Sequence, residues 1–261
     1  HNRTMAFLNT HFFANSLGMC TRCNVLLPDR PQADRPIPTL YLLHGLSDAE
    51  TIWMRRSSIE LFANRYYLAV VMPCGDRSFY SDLPNGSNYF QYIGEELPSL
   101  MESYFHLRTD REGRFIAGLS MGGFGALKTA FAHPDKYAAV GAMSAVCDIA
   151  WVKNARGPLY PSIFGTQDQT NSVNDLFAQS ARVAALPKER QPRIFQYCGV
   201  EDFLWQDNLR LRDHLRDLGF EHHWEQGPGG HCWENWNTQI QNILAWLPLD
   251  ENKTRTGAIG L

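Results

Sequence analysis

Residues 115–123 read Phe-Ile-Ala-Gly-Leu-Ser-Met-Gly-Gly, and this stretch decides the fold. The apolar run Arg114–Leu119 predicts a buried strand, and Met121–Ala132 predicts the helix that follows it. A strand that passes directly into a helix leaves Ser120 on a sharp, exposed turn. Where the helix packs closely behind the strand, only small residues fit. These positions are occupied by Gly118, Gly122 and Gly123.

Strand and helix patterns alternate on both sides of this stretch. Short apolar runs separated by segments with helical spacing are typical of parallel strands joined by helices. Two strand-like runs around Gly18 predict an N-terminal antiparallel hairpin. Strands are predicted at 7–17, 19–27, 39–43, 67–72, 114–119, 139–145, 193–198 and 220–225. Helices are predicted around 52–64, 93–104 and 121–132, along Leu211, Leu215 and Leu218 before Gly219, and along 236–247.

Residues 148–186 interrupt this regularity. The segment mixes Trp151, Tyr160 and Phe164 with Gly, Pro and polar residues, and it predicts a short cap-like insertion over the sheet. Packing elsewhere, as a surface or subunit contact, stays open. We therefore predict an α/β fold with a mostly parallel central sheet, an N-terminal antiparallel hairpin and helices on both faces, in a single domain spanning 1–261.

Composition excludes several classes of partner. The 261 residues contain 24 Lys plus Arg and 27 Asp plus Glu, for a net charge of −3. Since no basic run occurs, nucleic acid is not an expected partner. The apolar runs have the length of strands and not of membrane-spanning helices, so we predict a soluble, cytoplasmic protein. Residues 1–5 lack the pattern of a signal peptide, although a segment already removed leaves no trace.

Six cysteines are too few for a disulfide scaffold in a chain of this length. Cys74, Cys147 and Cys198 lie in or beside apolar runs and are predicted to be reduced core residues. Cys20 and Cys23 have the spacing of zinc ligands, but residues three apart on a strand face opposite ways and no second pair accompanies them. We therefore expect no metal and no cofactor.

Gly118-Leu119-Ser120-Met121-Gly122 matches G-x-S-x-G in the strand-to-helix context that holds the nucleophilic serine of α/β-hydrolases. A serine hydroxyl is a weak nucleophile, so it needs a base within hydrogen-bond reach and a third group to orient that base. In this fold the acid and then the histidine follow the serine, on loops after later strands. The partners of Ser120 are therefore sought in the C-terminal half of the chain.

Four histidines follow the acidic candidates, and one of them lies on a loop. His214 falls within a predicted helix, while His222 and His223 are adjacent strand residues whose side chains point in opposite directions. His231 follows Gly-Pro-Gly-Gly after the last strand and precedes the last helix. We therefore predict His231 as the general base for Ser120.

The acid is predicted on the loop after strand 193–198. Asp202 follows Gly199, whose flexibility would let the carboxylate reach toward His231. Glu201 is its nearest rival, because spacing alone does not exclude a shift of one residue. Asp207 is placed inside the following helix. Asp202 is therefore our predicted acid, with Glu201 as the alternative.

Negative charge that develops on a substrate carbonyl oxygen needs two backbone N–H donors, an oxyanion hole. One comes from the residue after the nucleophile, which is Met121. The second is predicted at Leu46, because Gly45 would let the loop after strand 39–43 turn its amide toward Ser120. His44 precedes the serine and is given a structural role.

With these residues placed, the chain resembles the esterase D family of α/β-hydrolases, and within it the tributyrin-esterase-like carboxylesterases related to S-formylglutathione hydrolases. The resemblance covers nearly the whole chain. It rests on Tyr-Leu-Leu-His-Gly at 41–45, Gly-Glu-Glu-Leu-Pro at 94–98, residues 115–123, Cys-Gly at 198–199 and Glu-Asp-Phe at 201–203. It implies hydrolysis of short-chain acyl esters through an acyl-serine without a cofactor, with Ser120, Asp202 and His231 as the catalytic triad.

Other functions fit the same residues. S-formylglutathione hydrolases and feruloyl esterases use the same triad chemistry. A catalytically inactive hydrolase scaffold used for binding normally lacks a triad residue, whereas all three are present here. The expected partner is a small-molecule ester, with no membrane involvement, and assembly into a homo-oligomer is left open.

Overall fold

The computed structural model describes residues 4–29 and 31–249, whose centre is an eight-stranded sheet. The strand order is β1-β2-β4-β3-β5-β6-β7-β8. The predicted domain limits, residues 1 and 261, lie outside the described residues. The strands are β1 (Met5–Ala14), β2 (Met19–Pro28), β3 (Thr39–Leu43), β4 (Ala69–Pro73), β5 (Arg114–Leu119), β6 (Ala139–Met143), β7 (Arg193–Gly199) and β8 (His222–Gly227).

The sheet is mostly parallel, as the sequence predicts. β2 pairs antiparallel with β1 and with β4, whereas the other neighbouring strands, from β4 to β8, run parallel. In a parallel sheet the carboxyl ends of the strands meet at one edge, where α/β proteins build their sites. The loops after β3, β5, β7 and β8 therefore lie along the same edge.

Helices connect the parallel strands. A π-helical stretch spans Tyr92–Glu96, and short 3-10 turns occur at Arg111–Gly113 and Lys188–Arg190. The helices are α1 (Ile52–Arg56), α2 (Ile59–Ala63), α3 (Tyr89–Gln91), α4 (Leu97–Tyr104), α5 (Met121–Ala132), α6 (Ile149–Ala155), α7 (Tyr160–Phe164), α8 (Leu176–Ala184), α9 (Trp205–Asp217) and α10 (Trp233–Trp246). No helix of the described residues is long and apolar enough to cross a membrane.

Both faces of the sheet are covered, because side chains alternate along each strand. On β3, Tyr41 and Leu43 pack in one apolar cluster, which also holds residues of α4, α5, α8 and α9. Leu40 and Leu42 point the other way and pack with α1, α2 and α10. The predicted arrangement of helices on both faces is confirmed.

Several predicted boundaries are wrong. The helix predicted at 52–64 is two helices, because the backbone of Ser57 is extended, at φ −135° and ψ 169°, while its hydroxyl donates to the Trp53 carbonyl. The hairpin turn occupies 15–18, so β1 ends at Ala14 and not at residue 17. Its side chains are largely exposed, so alternation marks the end of this edge strand poorly.

Residues 148–186 hold three short helices, α6 to α8, although no clear helical periodicity is visible in this segment. Asp148 caps α6 by accepting from the Ala150 amide, and Asp175 caps α8 by accepting from the Ala178 amide. Side-chain caps stabilise helices too short to form alone. The insertion is therefore ordered helix between β6 and β7.

Candidate active site

Ser120 lies between the end of β5 and the start of α5. Its backbone has φ 54° and ψ −117°, a positive-φ conformation that costs a residue with a side chain of order 1–3 kcal/mol. Close packing enforces the turn: a Cβ on Gly118 would collide with Gly122, and a Cβ on Gly122 would lie 2.6 Å from the His44 carbonyl oxygen. Ser120 is half-buried and not exposed as predicted, because His231 lies over its hydroxyl.

His231 lies on the loop between β8 and α10 and connects Ser120 with Asp202. Its Nε2 is 3.0 Å from Ser120 Oγ, and its Nδ1 is 2.9 Å from Asp202 Oδ2. The imidazole packs edge-on against Trp236 at 4.8 Å between ring centroids, and against the tilted ring of Phe203 at 4.5 Å. These two rings restrict rotation of the imidazole away from Ser120.

Asp202 follows β7, and its side chain is fully buried. Its Oδ1 accepts from the Leu204 amide at 2.9 Å. Burial opposes ionisation, but the hydrogen bond and charge of His231, with hydrogen bonds from Leu204 and Ser144, lower the pKa of Asp202 below its ordinary value. An ionised carboxylate only accepts hydrogen bonds. His231 therefore carries its proton on Nδ1, and Nε2 is free to accept the proton of Ser120.

The alternative acids point elsewhere. Glu201 is exposed, and its carboxylate accepts a hydrogen bond from the Gly229 amide. Asp207 lies on α9, as predicted, and pairs with Arg210 at 3.2 Å. Of the three acids considered, the structure brings Asp202 alone to His231.

The alternative histidines have other partners. His214 on α9 bonds to α8, at 3.1 Å from the Ser180 hydroxyl. His222 faces β7, where burial lowers its pKa to about 4. His223 pairs with Glu225 on its own strand at 2.9 Å. None of these three imidazoles contacts Ser120.

The loops that carry Asp202 and His231 are hydrogen-bonded to each other. The amides of Val200 and Glu201 donate to the carbonyl oxygens of Gly227 at 2.9 Å and Gly229 at 3.3 Å. A Cβ on Gly199 would collide with the Gly229 carbonyl oxygen. The sequence analysis explained Gly199 by the flexibility of a turn and did not anticipate a steric requirement. Gly199 ends β7, and the close approach of the second loop is what requires a glycine there.

Gly199→Ala is expected to lower kcat by about 100-fold, because the added methyl would push the loop of His231 away and misplacements near 1 Å have this effect. Steady-state kinetics and a thermal melt measure the result. Gly227→Ala, at the end of the neighbouring strand β8, is the matched control, since a Cβ there meets only the Tyr197 ring and hydroxyl, at 3.7 Å or more. A folded Gly199→Ala variant with unchanged kcat would contradict the expected coupling.

The amides of Leu46 and Met121 are available to a ligand. Across residues 4–29 and 31–249, neither amide donates to a protein acceptor. The loop after β3 passes directly beside the serine, because a Cβ built on Gly45 would lie 3.7 Å from the Ser120 Cβ. Two unpartnered N–H groups next to a serine hydroxyl fit the pattern of an oxyanion hole.

His44 orients the loop that carries Leu46. Its Nε2 accepts from the Gly75 amide at 2.8 Å, so its Nδ1 holds the proton and donates to the Gly45 carbonyl oxygen at 2.8 Å. Burial lowers the pKa of His44, which favours this neutral form. The Gly45 carbonyl and the Leu46 N–H belong to one planar peptide unit. Fixing the oxygen therefore fixes the direction of the Leu46 N–H.

Two aromatic residues of the insertion, Phe164 and Trp151, pack in different places. Phe164 is buried and packs against Phe79 and Phe124, with ring centroids 5.8 Å and 6.2 Å apart. Trp151 stacks instead on Phe203, at 5.5 Å and 18° between ring planes. Of these two aromatic residues, Trp151 lies at the edge of the site, through its contact with Phe203.

A cavity of about 280 Å³ lies within the insertion, between α6, α7 and the start of α8. Polar side chains such as Asp148, Lys153 and Asp168 line much of it. Neither Ser120 nor His231 contributes to its wall. This cavity is therefore separate from the candidate catalytic groups.

The possible zinc site of the sequence does not assemble. Cys20 is exposed and Cys23 is buried, on opposite faces of β2. Within the described part of the chain, no group of three or more His, Cys, Asp or Glu side chains is placed to hold a metal ion. All six cysteines are free, and Cys74, Cys147 and Cys198 are buried as predicted.

The sequence analysis did not assign two further residues, Ser144 and Trp236, to the site. Ser144 is fully buried after β6, and its hydroxyl accepts from Trp236 Nε1 at 3.2 Å. Ser144 also lies at Asp202, so it links the acid to the ring that packs on His231. A polar residue directly after an apolar strand at the carboxyl edge was the available signal.

Comparison with known proteins shows the family of this chain. The Esterase family model matches residues 14–247, which include the segments that carry Ser120, Asp202 and His231. The chain belongs to the Esterase family. This esterase is 32% identical over 261 residues to an acetyl esterase of Caldicellulosiruptor saccharolyticus, with 93% of this chain and 98% of that relative covered.

Two solved structures from Staphylococcus aureus are similar to the esterase. One is fluorophosphonate-binding serine hydrolase F with bound substrate, at 32% identity and a TM-score of 0.88, covering 95% of this chain and all of that one. The other is an S-formylglutathione hydrolase, at 33% identity and a TM-score of 0.83, covering 93% and 98%. The predicted α/β-hydrolase fold, the resemblance to esterase D and the assignment as a carboxylic ester hydrolase are confirmed.

Proposed function

We propose that this esterase hydrolyses short-chain acyl esters through an acyl-serine, with Ser120 as nucleophile, His231 as general base and Asp202 as the orienting acid. The observation that carries the proposal is the unbroken chain of hydrogen bonds from Ser120 Oγ through His231 to Asp202. Ser120 Oγ can donate its proton to His231 Nε2, while the N–H at Nδ1 donates a hydrogen bond to the Asp202 carboxylate.

Acylation follows from the positions of these groups. His231 Nε2 accepts the Ser120 proton while Oγ forms a bond to the ester carbonyl carbon. The amides of Leu46 and Met121 donate to the carbonyl oxygen as it becomes negative. When the bond to the alcohol oxygen breaks, Nε2 returns the proton to that oxygen. The buried carboxylate of Asp202 stabilises the imidazolium that exists between the two transfers.

Deacylation repeats the sequence with water. Nε2 of His231 accepts a proton from a water molecule, which attacks the acyl carbon, and it then returns the proton to Ser120 Oγ. The same two amides stabilise the second tetrahedral intermediate. The cycle restores both side chains and consumes one ester and one water molecule.

Two observations support the proposed preference for short acyl chains: the packing of the insertion and the name of a similar protein. The helix α6 is anchored by the buried side chains of Ile149 and Val152, which favours a fixed roof over a mobile lid. Its Trp151 lies at the edge of the site. The similar protein from Caldicellulosiruptor saccharolyticus is named an acetyl esterase. A fixed roof would misplace the carbonyl of a long acyl chain relative to the oxyanion amides.

Among p-nitrophenyl esters from acetate to palmitate, we expect kcat/KM to be highest between acetate and butyrate. The leaving group is constant in this series, so the values report the acyl side alone. Initial rates by nitrophenolate absorbance are the measurement. A maximum at about eight carbons or beyond, or activation at an oil-water interface, would contradict a fixed roof.

The triad is tested by finding which side chain reacts. A fluorophosphonate forms a covalent bond with an activated serine, and digestion with mass spectrometry then identifies the modified peptide. We expect one adduct, on the peptide that contains Ser120. An adduct on a different serine would refute the assignment of Ser120 as nucleophile, although the chain belongs to the Esterase family.

A second candidate is a thioesterase acting on S-formylglutathione, which the 33% identity to an S-formylglutathione hydrolase favours. Both reactions use the same triad, so the leaving group decides between them. Comparing kcat/KM for S-formylglutathione, p-nitrophenyl acetate and methyl ferulate separates the thioesterase, the short-chain esterase and the feruloyl esterase that the sequence also left open.

A further inference from the structure

Phe203 is an unusual residue for its position. It is 58% exposed, although it directly follows the buried Asp202 and packs on His231. A large apolar side chain gains about 25 cal/mol for each Å² that is removed from water. The exposed face of Phe203 therefore leaves apolar area in water beside the candidate catalytic groups. A ligand bound there could bury this area.

Two contacts hold the Phe203 ring in place. Its centroid is 4.5 Å from that of the His231 imidazole and 5.5 Å from that of the Trp151 ring. The Phe203 and Trp151 planes differ by 18°, so the two rings stack. Trp151 comes from α6 of the insertion and Phe203 from the loop after β7. The pair is an ordered apolar surface that continues outward from the imidazole.

The position of His231 indicates whether the acyl half or the alcohol half of the ester would contact the surface formed by Phe203 and Trp151. The carbonyl oxygen is placed at the amides of Leu46 and Met121, whereas the departing alcohol oxygen takes its proton from His231 Nε2. Groups attached to the alcohol oxygen therefore extend along the imidazole. Phe203 is the ring in contact with the imidazole that remains exposed, since Trp236 on the other contact is buried.

We infer that Phe203, supported by Trp151, forms a binding subsite for an aromatic ring in the alcohol half of the ester. The inference rests on the proposed roles of Ser120 and His231. The chemistry is unchanged: Ser120 Oγ bonds to the acyl carbon, the bond to the arylalkyl alcohol oxygen breaks, and His231 protonates that oxygen. Aromatic rings stack favourably in offset and tilted geometries, which a flat alcohol substituent satisfies on Phe203.

The test compares benzyl acetate with n-hexyl acetate. Both are acetates of primary alcohols of similar size, so the ratio of their kcat/KM values isolates the effect of the ring. In Phe203→Leu we expect this ratio to fall by about 10-fold, the size of one stacking contact plus its buried area. Phe203→Tyr keeps the ring and should keep the ratio within about 2-fold.

Phe13→Leu is the matched control, because Phe13 is 55% exposed on β1 and is remote from the catalytic loops. Its ratio should equal that of the wild type. An unchanged ratio in Phe203→Leu overturns the inference. An equal loss for both esters does so too, since it would show that Phe203 only supports His231.

A measurement on the unmodified enzyme covers the case in which Phe203→Leu does not fold. Benzyl alcohol should inhibit hydrolysis of p-nitrophenyl acetate several-fold more strongly than n-hexanol, and equal inhibition would refute the subsite. The fluorophosphonate adduct separates the two proposals. If the adduct lies on Ser120 while ring selectivity is absent, the subsite alone is wrong; if it lies elsewhere, the triad assignment is wrong.

Discussion

Ser120→Ala is expected to lower kcat by about 10⁶-fold, the loss seen when a serine nucleophile of this kind is removed. In the proposed mechanism the Oγ atom forms the bond to the substrate, and an alanine methyl cannot replace it. The flanking residues Leu119 and Met121 are both buried, so the main chain at this turn is held by its surroundings. Alanine has the same backbone restrictions as serine and should fold in its place. The measurement is kcat on p-nitrophenyl acetate, with a thermal melt to verify folding.

The control for this substitution is Ser180→Ala on α8, where the hydroxyl contacts His214 and not the candidate triad. That variant should keep its kcat and its fluorophosphonate labelling, whereas Ser120→Ala should lose both. Persistent labelling of Ser120→Ala would mean that the nucleophile is another residue.

Asp202→Asn is expected to lower kcat by about 10⁴-fold while the protein stays folded. The carboxylate accepts from His231 Nδ1 and from the Leu204 amide. An amide at this position can donate to Nδ1 instead, which moves the imidazole proton to Nε2. The histidine then has no free lone pair for the Ser120 proton, so the base is lost although its position is unchanged.

Glu201→Gln is the matched control on the same loop, because it also removes one negative charge. The amide oxygen of Gln can still accept from Gly229, so we expect kcat within about 3-fold of the wild type, the ordinary range for a surface change. If Glu201→Gln loses as much activity as Asp202→Asn, the acid has been assigned to the wrong residue.

Both variants should be compared near neutral pH. The pKa of Asp202 is lowered in the folded protein, so its ionised form stabilises the fold fully above the unfolded value of about 3.9. That contribution is lost only as the pH falls through the lower, folded value. At neutral pH the wild type therefore keeps it in full, and Asp202→Asn lacks it.

Much of the fold follows from short-range sequence patterns. Arg114–Leu119 and Met121–Ala132 were predicted with the bounds they have, because a fully buried strand and the helix packed on it consist of apolar and small residues up to their ends. Edge elements such as β1 have exposed side chains. Their pattern is weaker, and their ends were misplaced.

The candidate site also contains some features that sequence patterns predict and others that they do not. Asp202 and His231 could be selected because the order of strands and helices determines which loops reach the edge that carries Ser120. The requirement for Gly199 and the packing of Trp236 on His231 could not be predicted. The first depends on how closely two loops distant in sequence approach each other, and the second on the course of the loop between β8 and α10. Neither is encoded in a strand or helix pattern.

Because Ser120 has a positive φ, the residue that suits the proposed reaction is not the residue that would make this turn most stable. Glycine adopts this backbone conformation without the steric penalty that any side chain incurs. The most stable residue at position 120 is therefore one that has no hydroxyl and leaves nothing for His231 to activate. Selection for thermal stability alone would remove the serine, so under the proposed mechanism the chain keeps a less stable turn at its nucleophile.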